Sequence, residues 1–146
     1  MSRSRRRSGR RPGSSSPSQL EVFCDRSLGR YKVPARLRQV HRGVLAHDDL
    51  FPQDVDDEVW LRVAGRKGWV VLTKDERIRW RPGEQRAIVE AGVRCFCLHP
   101  TKGMRGEDMA EVLAKALPRI LRIAAEDPRG YVKIVNRTGR IRHLYP

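Results

Sequence analysis

The sequence predicts an α/β protein whose central sheet is mainly parallel and carries helices on its faces. From residue 20 onward, short apolar runs alternate with segments whose apolar residues recur at helical spacing, the pattern of βαβ units. Aromatic residues make up 6% of the chain and charged residues 33%, so the core is expected to be aliphatic. A length of 146 residues gives room for one such domain, and not comfortably for two.

Four short apolar runs are predicted to be parallel strands. Each is a few residues long and ends at polar or turn-forming residues, as strands of a buried sheet do. The run WVVLT, residues 69–73, is the clearest of them. The four predicted strands cover residues 20–24, 44–47, 69–73 and 94–98.

Four helices are predicted from the helical spacing of apolar residues. Val33, Leu37 and Val40 fall on one stripe of the first helix, and Val59 and Trp60 fall on the buried face of the second. Each stripe is expected to pack on the sheet. The predicted helices cover residues 33–41, 56–68, 82–91 and 106–125.

The C-terminal segment, residues 101–146, is expected to complete the same domain. Pro118 should kink or break its long helix, because proline lacks the N–H that a helix interior needs. The runs YVKIV and RIRHLYP then flank a turn from Asn136 to Gly139, which indicates a small hairpin at the edge of the sheet.

The N-terminal segment, residues 1–19, is predicted to be a disordered basic arm. It holds six Arg, no acidic residue, and mostly Ser, Gly and Pro, so it cannot bury enough apolar surface to fold by itself. The core of the domain is therefore expected over residues 20–100.

The net charge of +14 and the pI near 10.9 favour a partner with dense negative charge, chiefly nucleic acid. Removing the six charges of the arm still leaves about +8 on the rest of the chain, so this expectation does not depend on the arm alone. Anionic lipid is the competing partner. The sequence has no apolar window of membrane-spanning length and no apolar stretch of the signal-peptide kind after the basic N-terminus, so no membrane span and a cytoplasmic location are expected.

The three cysteines are expected to be reduced and buried. Cys24, Cys95 and Cys97 are odd in number, lack the spacing of zinc ligands, and each lies within an apolar run. No redox or metal role is predicted for them.

Acidic residues stand where strands of the predicted sheet end. Ligands of open parallel sheets bind beyond the carboxyl ends of the strands. Asp25 directly follows the first strand and Asp75 comes two residues after the third, while Asp57 and Glu58 open the helix that leads into the third strand. These four acids are therefore candidates for one shared rim. Taken singly, each has a plainer explanation, as a turn residue or as an acid favoured by a helix dipole.

Carboxylates that gather in one cleft need a cation between them, and hard oxygen ligands favour Mg²⁺ or Mn²⁺. Such a metal can activate water and stabilise the charge that develops on a phosphodiester. Asp48 and Asp49, after the second strand, could face the same rim, although a solvated loop is the favoured explanation for them.

Basic residues surround these acids and could hold the backbone of a nucleic acid. Trp80, which lies between Arg79 and Arg81, could stack on a base. The candidate phosphate-binding residues are Arg26, Arg30, Lys32, Lys74, Arg77 and Arg79.

Three segments of the chain resemble compact PIN-like domains of the VapC toxin type. They are FCDRSLGRYKVPARLR, DVDDEVWLRVAGRKGWVVLTKDERIR and GVRCFCL, and the resemblance covers roughly residues 20–98. Carried over position by position, Asp25 resembles the acid of the first strand, Asp57 the acid at the helix start, and Asp75 the acid of the Thr-x-Asp turn.

The resemblance implies a Rossmann-like three-layer α/β/α sandwich, a Mg²⁺ or Mn²⁺ cofactor, endonucleolytic cleavage of RNA, and a small antitoxin partner that blocks the site. Larger PIN domains carry a further glutamate between the first-strand acid and the helix-start acid, where this chain is short. Glu58, which adjoins Asp57, is the first candidate to replace that glutamate as a fourth metal ligand. Asp48 and Asp49 are the next candidates.

Two other functions stay open on the sequence. A noncatalytic PIN-like module that binds RNA or regulates would keep the fold and the basic surface without a complete set of acids. A phospho-acceptor signalling domain would need an acid at the end of the third strand, where Thr73 stands. The C-terminal helix and hairpin could support a homodimer or bind a partner.

Overall fold

The computed structural model describes residues 16–74 and 81–146, which form one six-stranded sheet with helices on both faces. The strands are β1 (Val22–Cys24), β2 (Val44–Ala46), β3 (Val70–Thr73), β4 (Arg94–Leu98), β5 (Tyr131–Val135) and β6 (Ile141–Tyr145). Their order in the sheet is β2-β1-β3-β4-β5-β6. The first five strands run parallel and β6 is antiparallel to β5, which confirms a mainly parallel sheet with a hairpin at its edge.

Five α-helices and two short 3₁₀ turns connect these strands in the described residues. The helices are α1 (Lys32–Arg38), α2 (His47–Leu50), α3 (Asp57–Lys67), α4 (Pro82–Glu90) and α5 (Gly106–Glu126), and the 3₁₀ turns are Pro17–Gln19 and Arg26–Leu28. The short α2 replaces the loop that was expected after β2. Of the predicted N-terminal arm, residues 1–15 lie outside the described residues, and Pro17–Gln19 lead directly into the buried Leu20.

Alternate side chains of each strand point to opposite faces of the sheet, and this divides the core into two clusters. Val22 and Leu72 belong to the cluster under α1 and α5. Phe23 and Val71, their neighbours along the strands, belong to the cluster under α3 and α4. The three-layer α/β/α sandwich is thereby confirmed.

The predicted apolar stripes of α1 and α3 are wrong at one position each. Val40 is 50% exposed because α1 ends at Arg38, two residues before it. Val59 is 40% exposed, and Leu61 is buried in its place beside Trp60. The buried face of α3 is thus rotated from the one expected.

The predicted break at Pro118 is also wrong, because α5 continues through this residue to Glu126. Pro118 is exposed, whereas Leu113, Leu117 and Ile120 on the opposite face are almost fully buried against the sheet. Tertiary packing of an apolar face supplies most of the stability of a helix in a protein. That packing keeps α5 helical through Pro118, although this proline has no N–H to donate.

Arg94, the first residue of β4, links the two helical layers at the edge opposite the carboxyl ends of the parallel strands. It is 6% exposed, and its Nη1 donates to the carbonyl of Ala124 in α5 while its Nη2 donates to the carbonyl of Gly68 after α3, both at 2.6 Å. Burial lowers the pKa of the guanidinium. Arg94 thus satisfies carbonyl groups at two helix ends that have no partner within their own helix.

A close approach of backbone at Gly65 brings α3 against the end of α4. A Cβ atom built on Gly65 would lie 1.8 Å from the carbonyl oxygen of Ala91, the residue that follows α4. Only glycine permits this separation. The cavity described below lies between these two helices, so their separation matters for function.

The three cysteines are free and buried, as predicted. In the part of the chain that the structure describes, no helix has the length and apolarity that crossing a bilayer requires.

Candidate active site

A cavity of about 400 Å³ opens at the carboxyl-end edge of the sheet, between β1, α3 and α4. Its apolar wall includes Trp60, Leu61 and Ile88, which also belong to the core beneath α3 and α4. Four carboxylate side chains line it, those of Asp25, Asp57, Glu58 and Glu84. Several acids therefore share one pocket that is partly closed by apolar side chains.

Asp25 lies directly after β1 and is 5% exposed, so it is not an ordinary solvated turn residue. Its Oδ2 accepts hydrogen bonds from Thr73 Oγ1 at 2.8 Å and from Ser27 Oγ at 2.9 Å. The backbone N–H of Lys74 donates in turn to Ser27 Oγ at 3.1 Å. Asp25 Oδ1 accepts no hydrogen bond from the described residues. The carboxylate is thus held by one oxygen, and the other is available to a ligand.

Thr73 and Ser27 were not predicted as site residues. Thr73 ends β3, the strand next to β1, and the carboxyl ends of adjacent parallel strands meet at one edge. This position, together with the threonine of the Thr-x-Asp turn, was the available signal for Thr73. Ser27 gives no sequence signal, because its role depends on the 3₁₀ turn that follows Asp25.

Asp57 is the first residue of α3, and its Oδ1 accepts hydrogen bonds from Arg26 Nη2 at 2.7 Å and Trp60 Nε1 at 2.9 Å. Arg26 also donates through Nη1 to the carbonyl oxygens of Gln53 and Val55, at 2.6 and 3.0 Å. Arg26 therefore fixes the loop before α3 and places Asp57 beside the end of β1. In this arrangement its guanidinium binds protein atoms, whereas the sequence suggested a phosphate.

Glu84 is a residue that sequence reasoning missed. It lies in the first turn of α4, its side chain is 33% exposed, and one oxygen lies 3.8 Å from Arg81 Nη1. The available signal was an acid two residues after Pro82, in the first turn of a helix, where the helix dipole favours negative charge. Glu58, in the corresponding turn of α3, is exposed and was predicted.

The third predicted acid, Asp75, lies outside the described residues, as do Arg77, Arg79 and Trp80. Lys74, the last residue described before them, follows β3 and is half-buried. Within residues 16–74 and 81–146, no group of three acidic, histidine or cysteine side chains is close enough to hold a metal ion.

Asp48 and Asp49 do not line the cavity. Asp48 accepts a hydrogen bond from the buried His47 at 2.8 Å, and Asp49 pairs with Arg30 at 2.8 Å and with Arg38 at 3.8 Å. The hydrogen bond that Arg30 donates to the Asp49 carboxylate raises the pKa of the guanidinium. As substitutes for a missing acid, Glu58 and Glu84 are therefore better placed than these two residues.

Lys32, another predicted phosphate-binding residue, lies 3.3 Å from Glu107 of α5. Together with Arg26 and Arg30, three of the predicted cations thus form ion pairs within the protein. Their charges are partly neutralised before any ligand binds.

Comparison with known proteins agrees with the fold. A family model described as "PIN like domain" matches residues 20–100. The chain is 30% identical over 127 residues to a Mycobacterium tuberculosis (strain ATCC 25618 / H37Rv) protein named "Putative ribonuclease VapC45", and this match covers 84% of the chain and 91% of the relative. No solved structure gives a significant match. Both the family model and the relative cover most of the sheet and the cavity, and the chain therefore belongs to the PIN-like domain family.

Proposed function

We propose that this protein is a metal-dependent endoribonuclease of the VapC toxin type, which hydrolyses RNA phosphodiester bonds at the cavity between β1, α3 and α4. The observation that carries the proposal is the buried Asp25 carboxylate, which two hydroxyl groups hold by Oδ2 while Oδ1 has no described partner. A buried charge without a function would be costly to retain. The name of the relative supports the same activity.

The donor groups of the cavity fit a hard divalent cation, because its four acidic side chains offer carboxylate oxygens and Asp75 is a fifth acid in the sequence. Asp25, Asp57 and Asp75 would hold the ion, with Glu58 or Glu84 as a further ligand. When bound, Mg²⁺ or Mn²⁺ would supply Lewis-acid stabilisation of the charge on the phosphodiester.

The residues of the chain have separable tasks in this proposal. Thr73 and Ser27 keep Asp25 in one orientation, and Arg26 does the same for Asp57. A carboxylate of the cavity that is not a metal ligand, Glu58 or Glu84, accepts a proton from the attacking water as its oxygen bonds to phosphorus. The P–O bond to the leaving nucleotide then breaks, and the apolar wall formed by Trp60 limits access of bulk water.

An antitoxin partner is a further part of this proposal. We propose that a small protein blocks this cavity in the cell, as the resemblance to VapC-type toxins implies. Copurification of the chain with a coexpressed neighbouring small protein tests this point.

A noncatalytic RNA-binding module is the second candidate function. Two observations favour it: the described acids alone do not form a metal-binding group, and Arg26 already neutralises Asp57. The two functions differ in whether bound RNA is cut.

The test is cleavage of labelled single-stranded RNA by the full chain in Mg²⁺ or Mn²⁺, with EDTA as the metal-free control. Asp25→Asn and Asp75→Asn are expected to lower the cleavage rate by about 10²–10⁴-fold. Glu90→Gln is the matched control, because Glu90 is an exposed acid at the far end of α4. This variant should cleave RNA at the rate of the natural protein. RNA binding without any cleavage by the natural protein would instead establish the noncatalytic module.

A further inference from the structure

We propose that a basic groove between α5 and the β5–β6 turn binds the phosphate backbone of RNA and guides the strand towards the cavity. We call it the α5 groove, and its cations are Lys115, Arg119, Arg122, Arg140 and Arg142. The inference rests on the proposed function for the identity of the ligand, and it concerns a surface outside the cavity.

Two adjoining cavities of about 500 and 390 Å³ make up the α5 groove. They share Arg119 and Arg140, so they are continuous. Lys115, Arg119 and Arg122 repeat at helical spacing and project from one stripe of α5, while Arg140 faces them from the hairpin. No acidic side chain lines either cavity.

The arginines of the α5 groove differ in their pairing from the phosphate-binding residues that were predicted from the sequence. Arg26, Arg30 and Lys32 each form an ion pair with a nearby acid. Among the residues described, none of the groove arginines forms an ion pair, and all four are exposed. Like charges placed together without acids repel one another, and a polyanion relieves that repulsion.

The hairpin side of the α5 groove is held rigidly. Asn136 Oδ1 accepts hydrogen bonds from Thr138 N at 2.9 Å, from Thr138 Oγ1 at 2.7 Å and from Arg140 N at 3.0 Å. Arg137 donates to the carbonyls of Pro100 and Lys102, which ties the turn to the loop before α5. The backbone at Arg140 is therefore fixed before a ligand binds, which reduces the backbone entropy that binding must cost.

The β5–β6 turn, which forms one wall of the α5 groove, lies at the same edge of the sheet as the Asp25 cavity, whereas α5 packs on the face opposite α3 and α4. The β5–β6 turn follows the carboxyl end of β5, and β5 is separated from β1 by β4 and β3. Three strand spacings amount to about 15 Å. In this proposal an RNA strand held in the groove passes over this edge of the sheet to reach the cavity, along a path longer than these three spacings because the two sites lie on opposite faces.

The lining of the α5 groove favours a nucleic-acid backbone over a protein segment or a lipid surface. Apart from its cations it contains small or polar residues and a single large apolar side chain, that of Ile141. Protein interfaces and membrane-binding surfaces depend on buried aromatic or aliphatic anchors. A backbone of phosphates requires only positive charge and hydrogen-bond donors.

The test compares two variants of the full chain that each lose four positive charges, both in an Asp25→Asn background so that RNA is not consumed. The groove variant carries Lys115→Gln, Arg119→Gln, Arg122→Gln and Arg140→Gln. The control variant carries Arg62→Gln, Arg66→Gln, Lys67→Gln and Arg86→Gln, all exposed on α3 and α4. Circular dichroism and urea unfolding show that both variants are folded before binding is measured.

Binding of labelled single-stranded RNA is measured by fluorescence anisotropy across a range of salt concentrations. The groove variant is expected to raise Kd at least about tenfold over the control, and to reduce the slope of log K against log salt by about 2–3, since each phosphate contact contributes about 0.7. Equal Kd values and slopes in the two variants would overturn the proposal. Binding of both variants to an acidic peptide and to anionic vesicles is measured alongside. A groove variant that loses either of these while its RNA binding stays intact would also overturn the proposal.

This outcome is independent of the nuclease test. If the natural protein binds RNA but does not cut it, the groove comparison still gives its answer. If it cuts RNA and the two variants bind alike, the active-site proposal stands and the groove proposal fails.

Discussion

Replacing Gly65 by alanine should destabilise the protein and disturb the cavity together. In an ordinary helix interior this change stabilises by about 1 kcal/mol, because alanine has the higher helix propensity. Here the added Cβ would lie 1.8 Å from the carbonyl oxygen of Ala91, whereas ordinary contact begins at 3.4 Å. The obstacle is backbone, so it cannot rotate away, and α3 must separate from the end of α4 by about 1.6 Å.

Overpacking in a well-packed interior costs typically about 1–3 kcal/mol and sometimes more. Because the contact is with a backbone atom, we take the upper end of that range and expect a net loss of about 2–3 kcal/mol in the free energy of unfolding. For a domain of this size that corresponds to a fall in Tm of about 5–10 °C. The separation of the helices should also move Asp57 and Glu84 apart, so RNA cleavage should fall with Mg²⁺ saturating.

The assay is urea and thermal unfolding, followed by the RNA cleavage assay at a temperature where both proteins are folded. Gly83→Ala is the control for stability, since a Cβ on Gly83 meets nothing within 4 Å and its backbone is not left-handed. It should be neutral or stabilising by up to about 1 kcal/mol. An unchanged or raised stability of Gly65→Ala would show that α3 and α4 do not approach as closely as described.

Three further changes probe other parts of the molecule. Thr73→Val removes one of the two hydrogen bonds to Asp25 Oδ2 and should lower kcat by about 10–100-fold with KM little changed. Steady-state cleavage kinetics measure both constants, and a change in KM alone would contradict a positioning role for Thr73. Arg94→Met leaves the carbonyls of Ala124 and Gly68 without their donor and should cost about 2–4 kcal/mol in urea unfolding, while a neutral result would mean that water replaces the guanidinium. Burial raises the pKa of Cys24 from 9.0 to about 12, so the stability that the neutral thiol contributes is complete below pH 9 and is lost as pH rises from 9 towards 12. Cys24→Ala should therefore lose less stability over this pH window than the natural protein. Equal pH profiles of unfolding free energy in the two proteins would refute the raised pKa of Cys24.

The helices and strands of the core could be predicted from the sequence because their apolar spacing is local information. The spacing placed β1, β3 and β4 to within two residues, and residue type placed Asp25 and Asp57 at strand and helix ends that meet at one edge. Glu58 was also found in this way. Asp75 was predicted by the same reasoning and lies outside the described residues.

Other features were decided by contacts between residues far apart in the chain. Pro118 stays inside a continuous helix because the sheet packs against its other face, which no local rule contains. Arg26 forms an ion pair with Asp57, 31 residues away, so residue type alone could not tell a phosphate-binding arginine from a positioning one.

The sequence by itself determined the layers of this protein and the placement of Asp25, Asp57 and Glu58 at one edge, because periodicity and the order of strands and helices along the chain specify both. The tertiary structure alone decided which charges remain unpaired. Glu84 enters the cavity from α4, and the basic residues of α5 gather with Arg140 across the hairpin turn. The physical reason is that ionic pairing depends on distances of a few ångström between distant segments, and only the packed fold sets those distances.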